Sequence, residues 1–225
     1  MCGRVTLTLD KDLIMEILED VYDVSNSPTL PAVPQYNVTP SEQLLSVIEN
    51  KGSRRAGLLT WGFVPKWTKE DAIKHSLINA RSETVYEKPT FKESFRTKRC
   101  LLLADHFYEW QRASTKKPYL FSITDQPLMP MAGIYTTYTK NDGSRLSTCA
   151  ILTCDPNKVM APIHHRMPVI LTPDGIKQWL NPSADQQTLQ TLMVPYASEH
   201  TKTYEVSTYV NSVANKGPEC IRQVQ

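Results

Sequence analysis

The stretch that decides the fold reads RCLLLAD (residues 99–105), HFYEWQ (106–111), PYLFSI (118–123), LMPMAGIYTTY (128–138) and LSTCAILTC (146–154). Each run is short, apolar and bounded by turn formers, which is the pattern of a β-strand. Asp125-Gln126-Pro127 and Asn141-Asp142-Gly143 supply the punctuation. Outward from this block, LLSVIEN (44–50) and AGLLTWGFVP (56–65) read as further strands. LDKDLIMEILEDVY (9–22) instead places Leu13, Ile14, Ile17, Leu18 and Val21 at helical spacing behind Asp10 as N-cap. TFKESFRTK (90–98) and ADQQTLQTLM (184–193) are helix-like, and TPDGIKQWL (172–180) opens with Thr172 as N-cap and Pro173 at the first helical position. SNSPTLPAVPQYNVTPSEQ (25–43) reads as an extended loop. Strands outnumber helices and do not alternate with them. The prediction is therefore an α+β fold: one domain, residues 1–225, with a mainly antiparallel, barrel-like β core and flanking helices.

The 225 residues carry 40% hydrophobic and 21% charged side chains, an ordinary globular balance. A net charge of +2 gives no global pull toward nucleic acid, so any basic binding surface must be local. Asp10, Lys11 and Asp12 interrupt the start, unlike a secretory signal, and no run approaches the ~20 apolar residues of a membrane span. The expected address is the cytoplasm, with no membrane partner. The cysteines are Cys2, Cys100, Cys149, Cys154 and Cys220, an odd number without Cys-x-x-Cys spacing. Neither a disulfide framework nor a metal site is expected, and Cys100 and Cys149 read as small buried hydrophobes.

Five stretches carry candidate chemistry. Cys2 follows the initiator methionine; once Met1 is lost it offers a free α-amine and a thiol, with ordinary pKa values near ~8 and ~8.5. Such a 1,2-aminothiol attacks an aldehyde twice, as a Schiff base and then as a five-membered thiazolidine. Otherwise Cys2 is an incidental residue of a loose terminus. LINARSET (77–84) holds Asn79, Arg81 and Glu83, either a polar network near a pocket or a helix entry with a surface ion pair. In DHFYEWQ (105–111), strand alternation puts Phe107 and Glu109 on one face. A buried Glu109 becomes a candidate general acid; an exposed one does not. PIHHRMPVIL (162–171) offers His164 and His165 before a strand-like run, one suited to catalysis and the other to a structural or exposed place. WGFVPKW (61–67), with Lys66, Lys69 and Lys74 in or near it, suits either single-stranded nucleic acid or a core Trp61 and Phe63 with solvated lysines.

In order along the chain, MCGR, YNVTP, WGFVPKW, NARSET, FYEW, IHHRMPVIL and NSVANKGPECI resemble the SRAP family, the SOS-response-associated peptidase domains. The resemblance runs from residue 2 to about residue 221. It implies an α+β domain on a barrel-like β core, acting without a cofactor as a monomer at the nucleoid. The implied partner is single-stranded DNA containing abasic sites, whose open-ring aldehyde the N-terminal cysteine captures as a thiazolidine. An autoproteolytic or peptidase role is implied as well, since Met1 must leave.

Carried over residue by residue, Cys2 is the nucleophile through amine and sulfur, and Asn79 holds the aminothiol or sugar oxygens. Glu109 is the general acid/base, and His164 shuttles the second proton. Arg4 and Arg81 resemble phosphate-binding arginines; Pro40 and Trp67 lie where relatives contact the bases beside the lesion. The chain departs from some relatives at Thr68, where they carry a second tryptophan, and at Val5, where many carry an aromatic. Its end soon after GPECI favours a minimal bacterial or phage-type form. Two other readings stay open. One is an N-terminal-nucleophile hydrolase or amidotransferase, whose usual fourth residue is apolar rather than Arg4. The other is a non-covalent single-strand-binding module using Trp67 and the lysines.

Overall fold

The computed structural model describes residues 2–69, 77–111 and 116–224. Met1, whose loss the aminothiol chemistry requires, and Lys74 lie outside the described residues. The chain begins β1 (Val5–Leu7), α1 (Lys11–Asp20), β2 (Gln35–Val38), β3 (Gln43–Asn50), β4 (Ser53–Trp61), β5 (Asn79–Arg81) and α2 (Pro89–Thr97). It continues β6 (Arg99–Ala104), β7 (His106–Trp110), β8 (Pro118–Ile123), β9 (Met129–Thr139), β10 (Arg145–Cys154) and β11 (Met167–Pro168). It closes with α3 (Pro173–Leu180), α4 (Gln186–Thr191) and β12 (Thr201–Glu205).

All five runs of the deciding stretch are strands, β6 to β10, but they divide between two sheets. Strands β10, β4, β3, β6 and β9 close into a barrel, with β9 returning to β10. Its pairings are antiparallel except where β10 meets β4 and the short β5, which lie parallel to it. The second sheet, ordered β12-β8-β7-β1-β2, is antiparallel throughout.

The barrel is filled mainly by apolar side chains. Every residue of β6 is buried, because one face looks into the barrel and the other meets α2 and α3. Phe95 of α2 lies edge-on to Trp179 of α3 at 5.9 Å, and the Trp179 indole N–H donates to Cys100 O at 3.0 Å. Opposite Cys100 in β9 stands Gly133, where an added Cβ would fall 2.8 Å from Leu102 Cδ1; only a glycine lets the two strands pack this closely. Arg99 closes the corner. Its guanidinium donates to the carbonyls of Phe95, Arg96, Trp179 and Asn181, satisfying the C-terminal ends of both helices.

A single residue, Asp105, separates barrel strand β6 from β7 of the second sheet. The chain turns a corner there, and the buried carboxylate anchors it by accepting from the Thr6 and Thr8 hydroxyls and from Thr8 N–H. The outer face of the second sheet is covered by the C-terminal segment, in a small cluster of Tyr108, Leu120, Val206, Val210 and Cys220.

The caps behave as predicted: Asp10 accepts from Leu13 N–H at 2.9 Å, and Thr172 from Gly175 N–H at 3.2 Å. Cys100 and Cys149 are fully buried. Other expectations need correcting. The apolar face of α1 is narrower than predicted, since Leu13 and Val21 are exposed while Ile14, Ile17 and Leu18 are buried. The 25–43 loop contains β2, because Gln35–Val38 pairs with β1 despite its prolines on either side. NARSET is no helix entry: it opens with β5, whose Asn79 stands beside Ile151. After the histidine pair only β11 and an isolated bridge at Ile170 form, because Pro168 cannot continue a ladder. No helix among the described residues is long and apolar enough to cross a membrane.

Candidate functional site

The site sits where the second sheet meets β5 and the loop before β11. β1 lies on β7 with Val5 opposite Phe107, and Tyr108 N–H donates to Arg4 O at 2.9 Å. This register carries the chain ahead of β1 back along β7 toward Glu109. Cys2 therefore arrives inside the protein, fully buried, and is not a loose terminus. From the opposite side, the Asn79 amide donates to Cys2 O at 2.8 Å. The other polar atom of Asn79, Oδ1, is buried without a hydrogen-bond partner among the described residues.

Burial pushes the Cys2 thiol well above its ordinary value, and the negative charge of Glu109 pushes it the same way. The sulfur is thus held as a thiol at neutral pH. Glu109 and His164 are both buried, with His164 Nδ1 3.8 Å from Glu109 Oε1. The same Nδ1 lies 3.1 Å from both the N–H and the carbonyl of Arg166; it accepts from the first in one tautomer and donates to the second in the other. His165 is exposed, its ring 4.5 Å from that of His164. The two histidines thus differ in burial, and they lie in a turn and not in a strand.

Arg166 fixes the histidine loop. It is buried and forks onto Glu83, with contacts of 2.6 and 2.9 Å, while also donating to Asp155 at 3.1 Å and to Thr153 O. Burial would raise the Glu83 carboxyl, but the Arg166 guanidinium outweighs it and holds the group below the usual range. Glu83 therefore pairs across the fold and not with Arg81, the neighbour that its position in the sequence offers.

In front of these groups opens a cleft of about 510 Å³, lined among others by Arg4, Glu109, Trp110, Lys116 and His164. Of the eight predicted site residues, Arg4, Glu109 and His164 line this cleft, while Cys2 and Asn79 are bonded to each other in the interior, Cys2 within reach of the Glu109 charge. Arg81, Pro40 and Trp67 do not line it. Arg81 is exposed at the end of β5, Pro40 is half-buried in the turn between β2 and β3, and Trp67 is 72% exposed after β4. Trp61 and Phe63 of the same aromatic stretch are core residues, and Lys66 pairs with Glu93 at 2.9 Å. Sequence reasoning missed Asp105, Asn37 and the Arg166–Glu83 pair as parts of the frame. One signal was available for Asp105: a lone polar residue between two strand runs marks a corner that needs anchoring.

The model of the family described as SOS response associated peptidase (SRAP) matches residues 1–213. The abasic site processing protein YoqW of Bacillus subtilis is 42% identical over 98% of this chain and 99% of its own. The abasic site processing protein HMCES of Xenopus tropicalis is 34% identical, covering 100% of this chain and 78% of its own. Among solved structures, a protein from Bacteroides thetaiotaomicron superimposes with a TM-score of 0.86 at 24% identity, each chain fully covered. The barrel and second sheet are therefore features of a shared fold, and the chain belongs to the SOS response associated peptidase (SRAP) family.

Proposed function

We propose that the protein captures abasic sites in single-stranded DNA as a thiazolidine crosslink through the α-amine and thiol of Cys2. One observation carries this reading: Cys2 is buried against Asn79 and within reach of Glu109, and Glu109 and His164 in turn line an open cleft. The names of relatives such as YoqW and HMCES as abasic site processing proteins support the substrate.

Abasic deoxyribose is mostly a closed hemiacetal, so ring opening comes first. Glu109 exchanges the protons that break the ring C–O bond and free the aldehyde. The amine then adds to the carbonyl carbon, and the carbinolamine loses water to give an iminium. His164 and Glu109 pass the protons of this step between them. The raised thiol pKa sets the order: sulfur stays protonated and waits while nitrogen reacts. The thiol then adds to the iminium carbon, its proton goes to the buried carboxylate, and the ring closes. One water leaves and nothing is oxidised. The buried Asn79 Oδ1 is an acceptor for an N–H of the aminothiol or a hydroxyl of the sugar. Confinement replaces a bimolecular encounter by a local one. Arg4 and Arg81 take phosphates, while Pro40 and Trp67 meet neighbouring bases outside the cleft. The peptidase role is self-directed removal of Met1, which exposes the amine.

The test is a denaturing gel of protein mixed with a single-stranded oligonucleotide bearing one abasic site. A heat-stable shifted band is expected from the wild type, none from Cys2→Ala and none when the N-terminus is capped. A band that survives either change overturns the mechanism. Steady turnover of an amide substrate without the band selects the hydrolase reading instead.

A further inference from the structure

Arg4 lies at the cleft, yet its position depends on a part of the chain far away in sequence. One guanidinium nitrogen, Nη1, donates to Asn37 Oδ1 at 2.6 Å and to Val210 O at 2.7 Å. The guanidinium carbon lies 5.4 Å from the centre of the Trp110 ring, and that indole N–H donates to Asn211 Oδ1 at 2.7 Å. Asn37 is 1% exposed, and its amide nitrogen points away from Arg4 into three carbonyls: Asn215 at 2.7 Å, Ser212 at 3.1 Å and Val210 at 3.4 Å. This leaves one orientation for the amide, because a flipped group would set N–H against the guanidinium and oxygen against three oxygens. Lys216 tightens the same junction, donating to Asn37 O at 2.7 Å and to Glu42 Oε2 at 2.7 Å.

We infer that Asn37 is a positioning residue. It joins the C-terminal segment to Arg4 and sets the guanidinium at the cleft for one phosphate of the bound strand. The inference rests on the proposed DNA reading for its ligand, but not on the covalent step. Asn37 touches no substrate and acts through Arg4. The physical reason is placement: an arginine released from Asn37 spreads over many rotamers, most of which carry the guanidinium away from the phosphate, so the contact itself is lost, whereas one bonded at Nη1 and seated on Trp110 keeps it.

The test uses two oligonucleotides of one sequence, one with a tetrahydrofuran residue, which has no aldehyde, and one with a true abasic site. Reversible binding to the first is measured against salt concentration. Asn37→Ala is expected to weaken binding about tenfold, and the slope of log affinity against log salt to shrink by about 0.7, the value for one phosphate contact on a single strand. Arg4→Ala should do the same, and the double variant should add less than about twofold beyond Arg4→Ala. General structural damage lowers the binding-competent fraction and leaves the slope alone. If Asn37→Ala does not fold, Asn37→Ser is judged by the same slope. A folded variant with the wild-type slope, or losses that add in the double variant, overturns the inference. If the tetrahydrofuran arm behaves as expected while the true abasic strand gives no crosslink to the wild type, the covalent reading falls and the positioning role stands.

Discussion

The barrel and the second sheet are both β structure, packed against each other, yet they use side chains in opposite ways. In the barrel, β6 is buried end to end and its cysteine is a small hydrophobe. Beside its apolar residues the second sheet buries Thr6 and Glu109, with Asp105 at the corner and Asn37 on β2. An apolar core needs only shape and volume, so it tolerates no chemistry but requires little direction. A buried polar group needs a partner at a set angle, and the chain has to supply one. The difference teaches where reactivity was affordable: the apolar core lies chiefly in the barrel, and in the seam beside it polar contacts hold Cys2 through Asn79 and Arg4 through Asn37.

Substitutions on either side separate the two. Leu102→Ala, which empties fully buried volume against Gly133, is expected to cost about 3 to 4 kcal/mol in denaturant unfolding. The crosslinking rate per folded molecule should not change; a slowed rate would mean that the barrel also tunes the site. Arg99→Met removes a donor from four helix-end carbonyls, of which Asn181 O keeps the Ala184 N–H, and should cost about 3 kcal/mol, again with the rate intact. At the seam, burial alone would raise the Asp105 carboxyl, but hydrogen bonds from His106, Thr6 and Thr8 and the nearby His106 charge push it down from 3.8 to about 2. A depressed folded-state pKa stabilises fully above the ordinary value and is lost as pH falls toward 2. The contribution amounts to about 2 kcal/mol at neutral pH. Asp105→Asn should therefore be less stable than wild type at pH 7, with the gap closing in acid, and crosslinking should slow too because β1 carries Cys2. A gap that stays constant with pH would show that Asp105 matters only as a shape.

The two regions also differed in how far the sequence revealed them. Barrel strands were legible because burial on both faces writes continuous apolar runs such as RCLLLAD and LSTCAILTC. β2 was not, since its four residues pair only at one edge and sit among prolines that signal a loop. The site was half legible. FYEW alternation put Glu109 on the face of Phe107 but left its burial open, and the doubled histidine announced two different roles without saying which side chain the fold buries. The pairing of Glu83 was hidden, because nothing local distinguishes Arg81, two residues away, from Arg166, which the fold brings to it. The same blindness covered Asn37, whose three acceptors lie more than 170 positions along the chain.

That hidden pair gives the smallest stability effect and the sharpest separation. The Glu83 side chain is 47% exposed, so solvent screens its attraction to Arg166, and Asp155 remains as a second partner at 3.1 Å. Glu83→Gln should cost less than about 1 kcal/mol in unfolding free energy. The geometric consequence is larger. Glu83 lies four residues beyond Asn79 and Arg166 two beyond His164, so the forked contact ties the strand that holds Cys2 to the turn that carries the histidine. Loss of one fork arm lets the two drift, and near-attack geometry is sensitive to shifts of about 1 Å. The crosslinking rate should fall several-fold at neutral pH while binding to a tetrahydrofuran strand is unchanged. The Glu83 carboxyl is held below its usual range, so the wild type keeps the pair above that range and loses it only in acid, where the two rates should converge. Equal rates at neutral pH would reduce the pair to a surface ion pair and move the work of holding His164 to its backbone contacts with Arg166.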